Sequence, residues 1–386
     1  MTGRFVITGA RIFDGAAWHE DAALVVTGDS VEAIVAAKDV PADIQRIDAG
    51  GGLLVPGFVD LQVNGGGGLM INDRPDVETI RTICAAHAPF GTTALLVTLI
   101  TDTREQTKAT VAAAIEAAGA KAPGFLGLHL EGPHLSISRK GAHDPKLIRP
   151  MDDADQAAII AARQALPALL TTVAPETVGP ERIKALAQAG VVVSLGHSDA
   201  TYALARAAAS AGATMATHLF NAMSQIGNRE PGLAGAAIDV GALHCGLIAD
   251  GIHVDPATIG IALRAKRGPA KIFLVTDAMA TIGTDMASFR LNGRTIHRKD
   301  GSLRLDDGTL AGADLDMISA VRFMHDKIGL ELDEALRMAS TYPAEAMGVA
   351  DRHGRLGKGM AADFVQLSDE LSVQSVWIGG ERAFRG

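Results

Sequence analysis

The middle of the chain alternates between short apolar runs and longer, alanine-rich stretches with helical character. Near-continuous apolar strands that alternate with helices are typical of a parallel sheet covered on both faces. Eight such units favour a closed (β/α)8 barrel over an open doubly wound sheet, because no dinucleotide-type glycine fingerprint follows the first strand. The predicted strands occupy residues 59–63, 92–100, 125–130, 169–173, 191–195, 214–219, 245–249 and 271–276.

Helices are predicted in the segments between and after these runs. They cover residues 103–118, 153–164, 180–188, 201–211, 315–328 and 332–340. Residues 289–310 have a different pattern, with two β-branched runs around a turn. This pattern predicts a β insertion after the eighth strand.

The two ends of the chain differ from the middle. Both contain short β-branched runs interrupted by Gly and Asp, a pattern typical of antiparallel strands. We therefore expect the ends to pair into one small β-sandwich domain. The predicted division is a β domain from residues 1–55 and 357–386, and an α/β barrel over residues 56–356 with its insertion around residues 286–310.

Polar and ionisable residues follow the apolar runs at many of the predicted strand ends. Each has an ordinary structural interpretation, since a lone histidine is often a hydrogen-bonded structural residue and an aspartate often caps the next helix. Barrel enzymes, however, build their sites at the carboxyl ends of the strands, so these residues are expected to converge on one mouth. They are Gln62, Asn64, Glu131, His197, His218, Asp250, His253 and Asp277.

A metal site is the simplest use of three of these residues. Glu131, His197 and His218 supply one carboxylate and two imidazoles, a set that suits a borderline divalent ion with an open position for water. Such an ion acidifies water and polarises a carbonyl. Asp277, after the eighth strand, is then expected to take a proton from the water and return it to a leaving amine.

Composition narrows the possible partners. A formal net charge of −9 and an aromatic content of 4% argue against nucleic acid, because the chain has neither a basic stripe nor a set of stacking rings. The first residues lack a signal-peptide pattern, and the apolar runs are too short to cross a bilayer. Cys84 and Cys245 form no disulfide framework and no metal spacing. These features predict a soluble, cytoplasmic protein without a membrane partner.

Longer motifs resemble those of a known family. They are PGFVDLQVNGGGG at residues 56–68, HLEGPHLS at 129–136, KGAHDP at 140–145, LGHSDATY at 195–202, THLFNAMS at 217–224, ADGIHVDP at 249–256, VTDAMA at 275–280 and LAGADLDM at 310–317. Together and in this order they resemble the N-acetylglucosamine-6-phosphate deacetylases of the amidohydrolase superfamily. The likeness extends over almost the whole chain, and such long motifs are more specific than a short pattern.

The resemblance implies a role for each candidate residue. It implies that Glu131, His197 and His218 bind the metal and that Asp277 is the catalytic acid and base, with His143 beside the acetyl carbonyl. The substrate would be a small phosphorylated amino sugar, hydrolysed to acetate and glucosamine 6-phosphate. Arg229 and His253 would hold the 6-phosphate, with one of them crossing the interface of a homodimer. The remaining residues expected to bind substrate are Ala142, Asn221, Ala222, Asp250, Leu310, Ala311 and Gly312.

One departure from the wider superfamily concerns the end of the first strand. Many members carry His-x-His there and hold a second metal, whereas Gln62 and Asn64 offer amides, which are poor ligands for a transition metal. We therefore expect one divalent ion per chain, with zinc first and iron, cobalt or manganese as alternatives. The two amides would support the site.

Two other functions stay open at this stage. One is the deacetylation of another N-acetyl-hexosamine phosphate, or hydrolysis of other N-acyl or cyclic amides. The second is a catalytically inactive barrel that serves as an assembly or binding subunit. Loss of a metal ligand or of Asp277 would favour the inactive barrel, and this chain retains all of them.

Overall fold

In the computed structural model, which describes residues 3–386, eight parallel strands follow one another in chain order around a barrel. This arrangement confirms the predicted (β/α)8 fold. The barrel strands are β1 (Phe58–Val63), β2 (Thr92–Ile100), β3 (Phe125–Glu131), β4 (Leu169–Val173), β5 (Val192–Leu195), β6 (Met215–Ala216), β7 (His244–Leu247) and β8 (Ile272–Leu274).

The barrel closes where β8 meets β1, a contact that we call the closing seam. Here the backbone bonds lie past the end of β8: the Asp277 N–H donates to the Gln62 carbonyl at 3.0 Å, and the Asn64 N–H donates to the Ala278 carbonyl at 2.8 Å. An isolated bridge between Val63 and Ala278 lies at the same level. The seam therefore joins the two strands at the carboxyl edge, where the site lies.

The helices surround the barrel and begin mostly at capping residues. Thr103 and Thr201, which were expected to be helical, instead cap their helices by accepting hydrogen bonds from Gln106 and Leu204. The helices are α1 (Val77–His87), α2 (Arg104–Gly119), α3 (Asp153–Ala165), α4 (Pro180–Gln188), α5 (Tyr202–Ser210), α6 (Gly232–Asp239), α7 (Pro256–Ala265), α8 (Met317–Arg322), α9 (Leu332–Ala339) and α10 (Thr341–Met347). Shorter turns occupy Ala37–Asp39, Ala88–Phe90, Ile137–Arg139, Pro175–Val178 and, as a π-helix, Phe323–Lys327.

Two sheets from the chain ends pack into a β-sandwich beside the barrel. The first has the order Ser30–Ala36, Ala22–Thr27, Arg4–Thr8 and Gln45–Asp48. The second has the order Glu381–Arg385, Val373–Ile378, Phe364–Leu367, Leu53–Pro56, Arg11–Phe13 and Trp18–His19. Their facing apolar side chains share one buried cluster, which includes Ile7, Leu24, Phe364 and Trp377. Residues 1 and 2 of the predicted β domain lie outside the described residues, and the domain boundaries stay predictions.

The insertion after β8 forms a separate antiparallel sheet at the mouth of the barrel. Its strands are Ser288–Leu291, Arg294–Lys299, Ser302–Leu305 and Leu310–Ala313. The last strand joins the barrel, because the Ala313 N–H donates to the Asp277 carbonyl at 2.9 Å. A small pair, Gly65–Gly66 with Leu69–Met70, lies directly after β1.

Three barrel strands end at least two residues before the apolar runs that predict them. β6 ends at Ala216 rather than residue 219, β7 ends at Leu247 rather than residue 249, and β8 ends at Leu274 rather than residue 276. After β6 and β8 the chain soon enters a left-handed conformation, at His218 and Asp277. None of the helices within residues 3–386 combines the length and the apolar character needed to span a bilayer.

Candidate metal and active site

Three of the candidate metal-binding and catalytic residues have an uncommon backbone conformation. His197, His218 and Asp277 have φ values of 48°, 30° and 52°. Left-handed φ is rare for residues other than glycine and costs on the order of 1–3 kcal/mol each. Such conformations persist only where the surrounding structure holds them, and they cluster at functional sites. All three occur just past the end of a barrel strand, at the mouth.

Glu131, at the end of β3, lies at the centre of a buried cluster. Its Oε1 is 3.2 Å from Nε2 of His197 and 3.1 Å from Nε2 of His218, and the two Nε2 atoms are 3.1 Å apart. Burial would raise the pKa of Glu131, but hydrogen bonds from the two histidines outweigh it and hold the pKa well below its usual value. The carboxylate is therefore ionised.

The hydrogen bonds outside the cluster fix one of its tautomers. Nδ1 of His197 lies 2.9 Å from the Arg139 carbonyl, which only accepts, so this nitrogen carries a proton. Nε2 donates to Glu131 when the ring is charged and presents a lone pair when the ring is neutral. Nδ1 of His218 is buried without a hydrogen-bond partner among the described residues. A carboxylate facing two imidazole nitrogens at hydrogen-bond distance requires a proton or a cation between them. The donor set therefore fits a divalent metal.

A third histidine enlarges the possible ligand set. The ligand atoms of Glu131, His143 and His197 all lie within 4.8 Å of one another, so these three residues could hold an ion. Nε2 of His143 is 3.9 Å from Oε2 of Glu131, whereas Nε2 of His218 is 3.1 Å from Oε1. Two ligand sets therefore share Glu131 and His197, and the shorter contact favours the set with His218.

His143 is held from behind by Thr101. Its Nδ1 lies 2.7 Å from the Thr101 hydroxyl, which also lies 3.2 Å from the Glu131 carbonyl oxygen. If the single hydroxyl proton goes to that carbonyl, Nδ1 of His143 must donate to Thr101, and Nε2 then presents a lone pair to the cavity. Burial, with a contribution from nearby His197, holds the pKa of His143 well below its usual value, so the ring is neutral.

Asp277 lies on the same cavity with a different charge environment. Its Oδ1 accepts hydrogen bonds from the Asn64 amide at 2.7 Å and the Gln62 amide at 3.1 Å. Gln62 also donates to Glu131 at 3.0 Å, so one amide links the two carboxylates. Burial first, and the charge of Glu131 second, raise the pKa of Asp277 to about 6. A carboxyl with such a pKa can both accept and return a proton near neutral pH.

A cavity of about 540 Å³ lies above this cluster. Most of the predicted site residues line it: Asn64, Glu131, Ala142, His143, His197, His218, Asn221, Ala222, His253, Asp277, Leu310, Ala311 and Gly312. Asp250 supports the lining from behind, since its Oδ2 lies 2.6 Å from Nδ1 of His253. Gln62 lies below the cavity, between the two carboxylates.

Arg229 is the predicted residue that the fold does not bring to this cavity. It is exposed in a loop whose residues 225–230 are all exposed, and it is absent from the cavity lining of its own chain. Two other arginines, Arg139 and Arg304, do line the cavity. Arg304 belongs to the inserted sheet, whose position over the mouth depends on tertiary packing and leaves no signal in the sequence.

Sequence reasoning also missed Thr101 and Asp60. Thr101 is the first residue after the second predicted strand, so the strand-end rule that found Glu131 could have found it. Asp60 is a charged residue inside the first apolar run, and that contrast is its signal.

Comparison with known proteins gives the family. The model of the amidohydrolase family matches residues 53–383, and the NagA composite domain matches residues 5–54. An N-acetylgalactosamine-6-phosphate deacetylase from a Shewanella species is 44% identical over 334 residues, which cover 86% of this chain and 84% of that protein.

Two of the similar solved structures each cover 99% of this chain. The N-acetylglucosamine-6-phosphate deacetylase from Pasteurella multocida superposes with a TM-score of 0.95 at 36% identity, covering 99% of this chain and 100% of that one. An aspartate-to-alanine mutant of the Mycobacterium smegmatis enzyme, in complex with N-acetyl-D-glucosamine-6-phosphate, superposes with a TM-score of 0.91 at 34% identity and covers 99% of each chain. The barrel, the buried Glu and His cluster and these matches lead to one assignment: the chain belongs to the amidohydrolase family.

Proposed function

We propose that the protein removes the acetyl group from an N-acetyl-hexosamine 6-phosphate, with acetate and the free amino-sugar phosphate as products. The observation that carries the proposal is the pair of carboxylates in one cavity, Glu131 ionised among histidines and Asp277 with a pKa of about 6. The first suits a metal site and the second suits an acid and base, and metal-assisted amide hydrolysis uses both.

Glu131, His197 and His218 would hold a single divalent ion, with zinc as the first candidate. Bound there, the ion would supply Lewis acidity for the amide carbonyl and for water. Gln62 and Asn64 hold Asp277 by Oδ1, which leaves Oδ2 to carry the proton. Asp277 would take that proton from the attacking water and deliver it to the departing nitrogen. His143 would lie beside the acetyl carbonyl.

The substrate proposal rests on the size and lining of the cavity. A volume of about 540 Å³ lies in the range of about 300–1,000 Å³ typical of small-molecule sites. Asn221 and Ala222 would contact the sugar, and Leu310, Ala311 and Gly312 would enclose the acetyl end. His253, positioned by Asp250, would hold the phosphate.

Arg229 would complete the phosphate site from a second copy of the chain. It is exposed at the loop that follows the sugar-binding segment, and an exposed arginine with a forked donor set suits a phosphate across an interface. The homodimer and the cytoplasmic location are predictions that follow from this substrate and from the resemblance.

A second candidate substrate is the galacto epimer. The Shewanella relative named for N-acetylgalactosamine 6-phosphate is 44% identical to this chain, whereas the two solved deacetylases named for the gluco epimer are 36% and 34% identical. The two sugars differ at one hydroxyl, so the same set of residues would hold either of them.

Acetate release decides between them. We would measure it with N-acetylglucosamine 6-phosphate, its galacto epimer and unphosphorylated N-acetylglucosamine, with metal analysis of the same preparation. We expect acetate release from the phosphorylated sugars only, with about one metal ion per chain. The epimer with the higher kcat/KM is the preferred substrate. A metal-loaded protein inactive on all three would contradict the deacetylase.

A further inference from the structure

A carboxylate below the site links the two strands of the closing seam. Asp60 lies on β1 and is fully buried. Its Oδ1 accepts from the Gln62 N–H at 3.2 Å and from the Thr276 N–H at 3.3 Å, and its Oδ2 accepts from the Thr276 hydroxyl at 2.5 Å. One side chain on the first strand therefore binds both the backbone and the hydroxyl of a residue just past the last strand.

The seam needs such a link. Every other pair of neighbouring barrel strands is joined by a parallel ladder. Between β7 and β8, for example, residues 245–247 pair in order with residues 272–274. Between β8 and β1, the backbone bonds within the described residues begin only at Asp277. The Asp60 carboxylate holds the residue immediately before that point, where the ladder is lacking.

Burial of the Asp60 carboxylate is energetically unfavourable, which indicates a specific role for its contact with Thr276. A carboxylate without solvent is unfavourable, and an apolar residue could fill a barrel interior. Burial raises the pKa of Asp60 to about 7, against the effect of the hydrogen bonds from Thr276. Asp277 directly follows Thr276, and its left-handed φ of 52° must be held by the surrounding structure.

We propose that Asp60 and Thr276 form a clamp that positions Asp277. The clamp fixes the backbone before Asp277, and the Gln62 and Asn64 amides fix the carboxylate itself. Asp60 and Thr276 touch neither the cavity nor the metal cluster, so they are positioning residues. The proposal rests on the role of Asp277 in the proposed function, and it adds a specific device on which that role depends.

Matched threonine variants test the clamp. Thr276→Val removes the hydroxyl at nearly constant volume, and Thr276→Ser keeps it. We expect Thr276→Val to lower kcat about 10- to 100-fold with little change in KM or metal content, because small misplacements of a catalytic group cost this much. Thr276→Ser should stay within about threefold of the wild type. Asp60→Asn should behave like Thr276→Val.

A control separates positioning from general loss of stability. Thr171 on β4 is also buried, and its hydroxyl bonds the Leu130 carbonyl at 3.3 Å without contacting the seam. Thr171→Val should therefore keep kcat near the wild-type value. Wild-type kcat in Thr276→Val, or an equal loss in Thr171→Val, would overturn the clamp.

A crystal structure of Thr276→Val makes the test independent of the substrate. The clamp predicts that Asp277 moves so that the hydrogen bond from Asn64, 2.7 Å in the wild type, is broken. An unchanged Asp277 overturns the proposal even if no substrate is known. The two proposals can fail separately. If the wild type is inactive on the proposed substrates but Asp277 is displaced in Thr276→Val, the deacetylase function is refuted and the clamp is supported.

Discussion

At the scale of single residues, the two carboxylates of the cavity differ because of their neighbours rather than their burial. Both Glu131 and Asp277 are buried, and burial favours the protonated form of each. Histidine donors reverse the effect at Glu131, whereas Asp277 receives amide donors and faces the charge of Glu131. Carboxyl groups whose pKa values are separated in this way can divide the work of ion binding and proton transfer.

Asp277→Asn tests the proton-transfer role. The amide keeps the size of the side chain but cannot accept and return a proton. We expect kcat to fall by about 10²- to 10⁴-fold, with the metal content unchanged. Acetate release and elemental analysis of the same sample measure both. Turnover near the wild-type value would exclude Asp277 as the acid and base.

Alanine variants of two histidines test which ligand set is correct. Nε2 of His218 lies 3.1 Å from a Glu131 oxygen, whereas Nε2 of His143 lies 3.9 Å from the other oxygen of that carboxylate. We expect His218→Ala to lose most of its metal during dialysis, because it removes one of three ligands. His143→Ala should keep about one ion per chain while losing activity, since three ligands suffice for a catalytic site. The reverse result would exchange the roles of the two histidines.

The pH dependence of stability tests the state of Asp60. The pKa of Asp60 is about 7 in the folded protein and about 3.9 in an unfolded chain. Between these values the folded chain holds a proton that the unfolded chain has released. The contribution of Asp60 to the free energy of unfolding is therefore present below about pH 4 and lost as the pH rises through about 7.

Asp60→Asn should remove this dependence. We expect the difference in free energy of unfolding between the wild type and Asp60→Asn to change by roughly 1–4 kcal/mol between pH 4 and 7. Urea unfolding of the metal-free proteins at several pH values measures it, and subtraction cancels the titration of groups common to both. A constant difference would show that Asp60 does not hold a proton in this range.

At the scale of elements, the inserted sheet is held to the barrel at a point that only glycine fits. A Cβ on Gly312 would lie 2.5 Å from Cγ of Met279 and 2.9 Å from the Asp277 carbonyl oxygen, and its φ is +65°. The close approach lets the strand Leu310–Ala313 lie directly against the end of β8. The sheet therefore forms one wall of the cavity.

Gly312→Ala should move this wall. We expect a rise in KM and a fall in kcat, because the sheet must shift away from Met279 and Asp277. Gly293→Ala is the control: Gly293 has a similar φ of +78° in the turn between the first two strands of the same sheet, but no atom lies within 4 Å of the added carbon. Equal effects of the two substitutions would mean that backbone strain, rather than the position of the wall, controls activity.

The elements were largely predictable, and their contacts were not. Buried parallel strands have continuous apolar runs, so the eight barrel strands and the polar residues after them could be found from the sequence. The early ends of β6 and β8 depend on left-handed turns at His218 and Asp277, which no local pattern requires. The pairing of Asp60 with Thr276 joins strands that are far apart in the chain, and the approach of Arg304 depends on how the insertion folds back.

At the scale of the whole molecule, the proposed role of Arg229 involves two copies of the chain. Arg229 lies outside the cavity of its own chain, so under the proposal above it would reach the phosphate in a partner's cavity. Mixing two defective proteins tests the arrangement. In a mixed dimer of Arg229→Ala and Asp277→Asn chains, the cavity with the intact Asp277 would receive Arg229 from the partner.

We expect each variant alone to be weakly active and the mixture to recover roughly a quarter of the wild-type activity, since about half of the random dimers are mixed and each holds one complete site. Subunits would be exchanged under mild denaturant and assayed at low substrate concentration. If subunit exchange is shown to have occurred and no activity is recovered, Arg229 either acts in the cavity of its own chain or takes no part in the site.

The β-sandwich has a consequence for how the protein is made. Leu53–Pro56 pairs with Phe364–Leu367, and the adjoining strands Val373–Ile378 and Glu381–Arg385 come later still. At about 5–20 residues per second, a ribosome needs roughly 15–60 s to reach the second partner after making the first. During that interval the nascent chain carries an unpaired strand edge and an incomplete apolar core, which still lacks Phe364 and Trp377. The sandwich can therefore be completed only after all eight barrel strands have been made, and until then its open strand edge is available for pairing with another chain.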